Sequence, residues 1–256
     1  MYRIFFLISF LIFSSCEKDK TNLIINFTHT VDNVPVLSCC TEDEALPYTN
    51  LAGERYNVQR LQYLISNITL HDSNGGSKII KDIHFLDLFE DIGISINAEE
   101  LDNLEYTAIS FTMGLENSIN TSTLHINKDW HPIMTWPELI GGGYHYMKLE
   151  GDFDTITQGY STHTGALKMI NQTMRMDHSF IVNLPIENYN NSDNLSMNIN
   201  MEINNWYQTP NQINFSKYYS VMDGDTISGI MMNMEKQIKL QANGSTDVFS
   251  IHINKL

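Results

Sequence analysis

The sequence feature that most constrains the fold is strict alternation of apolar and polar residues in separate stretches. Between Leu195 and Ile203 every odd position is apolar and every even position is polar. The stretch from Leu104 to Met113 also alternates, with one change of phase between Ala108 and Ile109. Successive side chains of a β-strand point to opposite faces, so this pattern predicts strands with one buried and one solvated face. A chain dominated by such strands favours sheets packed face to face.

Further stretches predict more strands and one helix. Strands are expected at 23–29, 34–37, 78–88, 144–153, 160–170, 178–184 and 248–253. Residues 56–70 fit either two strand segments or a helix followed by a strand, and the β-branched end favours a strand. Glu99–Leu101 is expected to form a short helix or turn. From residue 231 onward apolar residues are spaced by three or four and Gly244 stands where a helix would stop, which predicts a late helix.

These elements predict an all-β fold, a β-sandwich-like single domain with one short C-terminal helix, spanning residues 23–256. The alternative is a division into two domains near residue 190, because residues 187–194 are polar enough to be a linker. A chain of 256 residues is long enough to bury a core in either arrangement.

The N-terminus, MYRIFFLISFLIFSSC, has the pattern of an export signal. Arg3 precedes an apolar run from Ile4 to Phe13, and two serines precede Cys16. Small residues before a cysteine predict a lipoprotein signal peptide in residues 1–15, a lipid anchor at Cys16 and a polar tether in residues 16–22. An ordinary signal sequence is the alternative. The lipid anchor would place the protein in the periplasm or at the cell surface, attached to the outer membrane.

The charge balance excludes one class of partner. The chain carries 30 acidic and 15 basic side chains, for a formal net charge of −15, and has no basic stripe. Nucleic-acid binding depends on clustered lysine and arginine, so a nucleic-acid partner is not expected.

Cysteine use leaves one question open. If Cys16 is acylated, the adjacent pair Cys39 and Cys40 remains. In an exported protein such a pair can form a vicinal disulfide, bind a thiophilic metal or stay reduced, and the sequence does not choose among these states.

The stretch from Trp130 to Gly151, WHPIMTWPELIGGGYHYMKLEG, has the highest density of residues suited to a binding site. It combines two tryptophans, two histidines and three consecutive glycines, and glycines there let backbone approach backbone or a ligand closely. No nucleophile motif, phosphate-binding loop or paired carboxylates in a pocket accompany it, so the sequence predicts a binding protein rather than an enzyme.

A series of short motifs, in order along almost the whole mature chain, resembles the MbnP-like family of exported copper-binding proteins. The motifs are Phe27-Thr28-His29, the stretch 61–70 before a glycine turn, His84-Phe85-Leu86-Asp87, Met134-Thr135-Trp136, Gly142-Gly143-Tyr144, Lys148-Leu149-Glu150-Gly151 and Thr162-His163-Thr164-Gly165. The resemblance implies a β-rich extracytoplasmic protein that binds copper.

The resemblance also implies roles for particular residues and a partner. Trp136 matches the tryptophan that is oxidised to kynurenine in some relatives, and His163 matches a histidine of the family pattern. His29 and His84 match recurrent histidines without an assigned role. The partner implied is a dihaem MauG-like peroxidase that carries out the oxidation.

Residue chemistry is compatible with the copper site that the resemblance implies. Imidazole and thioether are good copper ligands, and the chain has nine histidines and thirteen methionines. His131, His145 and His163 can converge with Met134 and Trp136 if their strands face one another. Taken together with the resemblance, this predicts His163 as the metal ligand, with help from His29, His131 or His145, beside Trp136. Met231 and Met234 would share a helix face and are expected to be core residues.

A second hypothesis assigns the protein a different function. Trp130, Trp136 and Trp206 could form exposed aromatic platforms of a surface lipoprotein that binds a glycan or another protein. In that case the histidines would have no role in binding.

Overall fold

A computed structural model describes residues 20–36, 45–102, 104–169, 172–187, 195–216, 219–222 and 225–255. The predicted signal peptide and all three cysteines lie outside the described residues. In the part of the chain that is described, no helix is long and apolar enough to cross a membrane.

The structure is built mainly from strands. They are β1 (Lys20–Val31), β2 (Val34–Pro35), β3 (Tyr48–Thr49), β4 (Arg55–Tyr56), β5 (Arg60–Asp72), β6 (Ser77–Asp87), β7 (Ser95–Asp102), β8 (Tyr106–Met113), β9 (His145–Phe153), β10 (Thr155–Gly165), β11 (Phe180–Pro185), β12 (Leu195–Glu202), β13 (Tyr219–Met222), β14 (Asp225–Gly229) and β15 (Phe249–Lys255). The helices are the one-turn α1 (His131–Met134) and the longer α2 (Met234–Gly244), with 3₁₀ turns at Glu138–Ile140 and Ile203–Tyr207.

The strands form two sheets. The smaller sheet has the order β15-β12-β1-β2, with β7 also paired to β1. The larger sheet has the order β11-β8-β5-β9-β10-β14-β13, with β6 paired to β5 and the short β3 and β4 joined at β9. Most neighbours are antiparallel, but β1 pairs with β12 in parallel, and β10 pairs with β14 in parallel.

The main core lies between the two sheets. On β12 the odd positions Met197, Ile199 and Met201 are buried, and they belong to one apolar cluster with residues of the larger sheet such as Leu61 and Tyr63. The even positions carry amides that bond across strands on the other face, as Asn26 Nδ2 does to Asn198 Oδ1 at 3.0 Å. The alternation in the sequence therefore gives the sheet its two faces, and the all-β, sandwich-like fold is confirmed.

Two element predictions are corrected by the strand pairing. Residues 20–22 belong to β1 rather than to a tether, because Lys20 pairs with Asp102 of β7 and the two side chains form an ion pair of 2.6 Å. Glu99–Leu101 is part of β7 rather than a helix or turn. The pattern hides this strand because Glu100 has a positive φ of 53°, which interrupts the alternation between buried Ala98 and buried Leu101.

The ambiguous stretch 56–70 is resolved as strand, since β5 is continuous from Arg60 to Asp72. The late helix is confirmed as α2. Its N-terminus is capped by Asn233, whose side chain accepts a hydrogen bond of 3.1 Å from the Lys236 amide.

The chain between β8 and β9 makes a long excursion, residues 114–144, that contains α1 and the first 3₁₀ turn. It packs against the larger sheet through a second apolar cluster, in which Trp130, Met134 and Tyr144 meet Leu64 and Phe85. This excursion brings the Trp130–Gly143 stretch close to β9 and β10.

Candidate metal centre

Three aromatic side chains from different parts of the chain meet where the excursion meets β9 and β10. The ring centroids of His145 and His163 are 4.9 Å apart and the rings are nearly perpendicular. The Trp136 ring is 4.7 Å from His145, also edge to face. The strand register produces this contact, because the pairing of β9 with β10 shifts between Thr164 and Gly165 and sets Gly165 opposite His145.

The hydrogen bonding of His145 fixes its tautomer. Its Nδ1 lies 3.2 Å from the carbonyl oxygen of Met134, and since a carbonyl can only accept, Nδ1 carries the hydrogen. The lone pair of the neutral ring is then on Nε2, which is buried and has no hydrogen-bond partner. Burial, together with the nearby His163 and Lys148, lowers the pKa of His145 to about 3. At neutral pH this ring presents an unused lone pair inside the protein.

A carboxylate orients the second imidazole. His163 Nε2 lies 2.6 Å from Glu150 Oε1, and the other oxygen of Glu150 accepts from Arg60 Nη1 at 2.6 Å. Burial alone would raise the pKa of Glu150, but the hydrogen bond from His163 and the charges of His163 and Arg60 lower it to about 2. The carboxylate is ionised at neutral pH, so Nε2 donates to it, and whenever the His163 ring carries a single proton its lone pair is on Nδ1.

Trp136 is fully buried and packs with Ile140 and Leu167 in a third small cluster. Its Nε1 donates to the Ile140 carbonyl at 3.4 Å. The indole lies directly on the backbone of β10, since a Cβ added at Gly165 would come within 2.9 Å of Trp136 Cε3. Only glycine lets the strand approach the ring this closely.

The helix α2 holds β10 in place from the other side. The fully buried amide of Gln237 donates to the His163 carbonyl at 2.7 Å and accepts from the Gly165 amide at 3.3 Å. The backbone on both sides of His163 is therefore fixed by the side chain of a helix residue.

The triple glycine serves the close backbone packing that the sequence predicts. All three glycines have positive φ, and a Cβ at Gly142 would lie 2.6 Å from Ser122 Oγ. The turn returns the chain so that the Gly143 carbonyl accepts from the Trp136 amide at 2.9 Å. Arg175 closes the turn by donating to the Gly142 carbonyl at 3.0 Å.

The donor set of this site is small. Among the described residues there is no group of three or more histidine, cysteine, aspartate and glutamate side chains placed to hold a metal ion. The site instead offers two imidazole lone pairs, His145 Nε2 and His163 Nδ1, beside an indole. Two oriented nitrogens, one of them buried without a partner, fit a metal that accepts imidazole and takes further ligands from outside this set.

The sequence model of the MbnP family matches residues 20–223 of the chain. The chain belongs to the MbnP family. Among solved structures, its fold is similar to that of MbnP from Methylosinus trichosporium, with a TM-score of 0.56 and 11% sequence identity over 92% of this chain and 99% of that chain. At this identity the similarity establishes the shared fold alone. No curated protein matches the chain.

The MbnP fold does not gather all the histidines predicted as ligands into the site. His29 lies on β1 in the smaller sheet, where its Nε2 is hydrogen-bonded to the Tyr63 hydroxyl at 3.0 Å. His131 lies in α1, and its Nδ1 contacts the Tyr144 hydroxyl at 2.9 Å. His84 stacks on Phe27 in the core. Of the predicted set, only His145 and His163 contact each other, and His145 also contacts Trp136.

The premise of the second hypothesis, exposed aromatic platforms, is wrong. Trp136 and Trp206 are at most 1% exposed and Trp130 is 8% exposed. Each indole packs in an apolar cluster, so none is available as a flat surface for a sugar ring.

Sequence reasoning missed two residues that shape the site, Glu150 and Gln237. Glu150 stands in one of the motifs that carry the family resemblance, and Gln237 stands in the predicted helix, but the sequence assigns neither a role at the site. Their roles follow from the pairing of β9 with β10 and from the docking of α2, which a single sequence does not contain.

Proposed function

We propose that this member of the MbnP family binds copper, with His145 Nε2 and His163 Nδ1 as the nitrogen ligands beside Trp136. The observation that carries the proposal is the buried Nε2 of His145, which has a lone pair and no hydrogen-bond partner. Leaving such a group unpaired costs roughly 1–3 kcal/mol, and a metal ion bound there would offset the cost.

The donor chemistry favours copper over the common alternatives. Calcium and magnesium require several oxygen ligands, and the site offers imidazoles. A structural zinc site needs four protein ligands, and the residues described here bring together two. Copper accepts imidazole in both oxidation states and can complete its coordination with a ligand from solution.

The second feature in favour is the fixed orientation of both rings. Histidine ligands of metals generally donate their other N–H to a carboxylate or a carbonyl, which fixes the tautomer. His163 has the Glu150 carboxylate and His145 has the Met134 carbonyl in these positions. The chain's own residues would thus hold the two lone pairs in place before a metal arrives.

The protein has no proposed catalytic role of its own. We place it outside the cytoplasm, tethered through Cys16 to the outer membrane, and propose Trp136 as the residue that a dihaem MauG-like partner oxidises to kynurenine. In that conversion two molecules of hydrogen peroxide, reduced to water at the partner's haems, would add two oxygen atoms across the C2–C3 bond of the indole, which breaks. Hydrolysis would then release C2 as formate, so the side chain loses one carbon and gains one oxygen. Mass spectrometry of the peptide containing Trp136, from cells with and without the partner, tests this part separately.

Copper affinity of single variants tests the ligand assignment. His145→Ala and His163→Ala should each weaken copper binding by at least tenfold, a loss of about 1.4 kcal/mol or more. His252→Ala is the matched control, because His252 is exposed on β15. Unchanged affinity in both ligand variants, with folding verified by circular dichroism, would remove these histidines from the site.

A further inference from the structure

The methionines of this chain are distributed unusually. Within the described part of the chain, the exposed methionines lie in two segments. Met169, Met174 and Met176 precede β11 and are 40%, 78% and 42% exposed, while Met232 precedes α2 and is 53% exposed. Methionine is normally among the more buried residue types, so three exposed methionines before β11, with a fourth before α2, require an explanation.

The two segments converge on the cluster that surrounds Trp136. Leu167 and Met176 form an antiparallel bridge, each amide donating to the other's carbonyl at 3.0 and 2.9 Å. Directly opposed residues have Cβ atoms about 5 Å apart on the same face, so the Met176 side chain lies beside that of Leu167. Met231 and Met234, from the other segment, pack against the cluster to which Leu167 belongs.

Both segments are held by hydrogen bonds from the body of the protein. The Lys168 amide donates to the Ile140 carbonyl at 2.8 Å, which fixes the first segment to the 3₁₀ turn beside Trp136. The Gln237 side chain lies 3.4 Å from the Met231 carbonyl while it also bonds to β10. The three sulfur-bearing side chains therefore project from anchored backbone.

We infer that Met176, Met231 and Met234 form a separate site for a soft monovalent cation, Cu(I) or its analogue Ag(I), bound through thioether sulfurs. Thioethers select soft cations, and they remain neutral ligands at any pH. The side chains are half-buried or exposed rather than enclosed, so an ion can reach them. The formal charge of −15 also favours accumulation of cations around the protein.

This site differs from the one formed by His145 and His163 in its ligands and in the ions it prefers. It does not require the histidine site to bind copper, although a cation held at the methionines would lie beside the cluster that contains Trp136. Met231 and Met234 are expected to be core residues, and they do pack against the core. Both are only partly buried, so their side chains also border the surface.

Titration with Ag(I) in a non-coordinating buffer tests the inference, with all cysteine thiols alkylated beforehand so that they do not bind the ion. The probe variant is Met176→Leu/Met231→Leu/Met234→Leu, since leucine keeps the volume and removes the sulfur. The control is Met197→Leu/Met201→Leu, which changes two methionines buried on β12. We expect the probe variant to bind Ag(I) at least tenfold more weakly than the wild-type protein, and the control to match it.

X-ray absorption on the Ag(I)-loaded protein should show sulfur neighbours in the wild type and in His145→Ala/His163→Ala, but not in the probe variant. Binding of Cu(II) by the probe variant should be unchanged, which separates this inference from the histidine site. Ag(I) affinity of the probe variant within twofold of wild type, or a wild-type spectrum with only nitrogen and oxygen neighbours, would overturn it.

Discussion

Glu150 and His163 are joined by a hydrogen bond of 2.6 Å between a carboxylate oxygen and Nε2, on neighbouring strands of the larger sheet. Arg60 holds the second oxygen of the same carboxylate. The bond determines which nitrogen of the singly protonated His163 carries the lone pair, so Glu150 would position a ligand of the proposed copper ion without binding the ion itself.

Replacing Glu150 should therefore weaken copper binding. In Glu150→Leu the His163 ring loses the acceptor that fixes its tautomer, and losses of about 10- to 100-fold in affinity are typical for such partners. Glu150→Gln keeps an oxygen that can accept from Nε2 and should recover part of the affinity. Competition titrations at neutral pH measure both effects. Glu150→Leu with wild-type affinity would show that His163 needs no orienting partner.

Buried histidines should make the fold sensitive to acid. Burial lowers the pKa of His29 from the ordinary histidine value of 6.5 to about 4, and it lowers the pKa of His84 to about 4 as well. Between about pH 4 and pH 6.5 the unfolded chain therefore binds more protons than the folded chain. The stability that the two neutral, buried histidines contribute is fully present above about pH 6.5 and is lost as the pH falls toward 4.

Chemical denaturation at pH 7, 6, 5 and 4 measures this slope. His29→Gln should flatten it by up to about 1.4 kcal/mol per pH unit, the contribution of one proton. His252→Gln changes an exposed histidine and should leave the slope as it is. Equal slopes for the His29→Gln variant and the wild type would mean that His29 is protonated in the folded protein.

The contact between Gly165 and Trp136 should tolerate no added carbon. In Gly165→Ala the new Cβ would lie 2.9 to 3.0 Å from three atoms of a fully buried indole, and overpacking of this kind typically costs about 1–3 kcal/mol. Gly159→Ala, on the same strand, is the control because its nearest neighbour is 3.9 Å away. Thermal unfolding compares the two, and equal stability would mean that the indole can move away.

Much of the fold could be predicted from local pattern. Alternation in residues 195–203 and 104–113 predicts β12 and β8 because burial of one face leaves a period of two in the sequence. The spacing of Met234, Ile238 and Ala242 predicts α2, because burial of one face of a helix places apolar residues three or four positions apart. β7 was missed at Glu99–Leu101, where the positive φ of Glu100 interrupts the period.

The candidate site could be predicted only in part. The density of aromatic residues and glycines identified the stretch from Trp130 to Gly151, which does supply Trp136 and His145. The contact between His145 and His163 depends on a register shift between β9 and β10, and a shift of one residue exchanges the faces of a strand. No local pattern in a single sequence records that register, so His131 and His29 were equally reasonable partners.

The most direct test of the central claim is the copper content of protein purified from its native envelope without added metal, measured by mass spectrometry for the wild type and for His145→Ala/His163→Ala. We expect near-stoichiometric copper in the wild type and a large loss of copper in the double variant. Copper at background level in the wild type, with no recovery on titration, would contradict it.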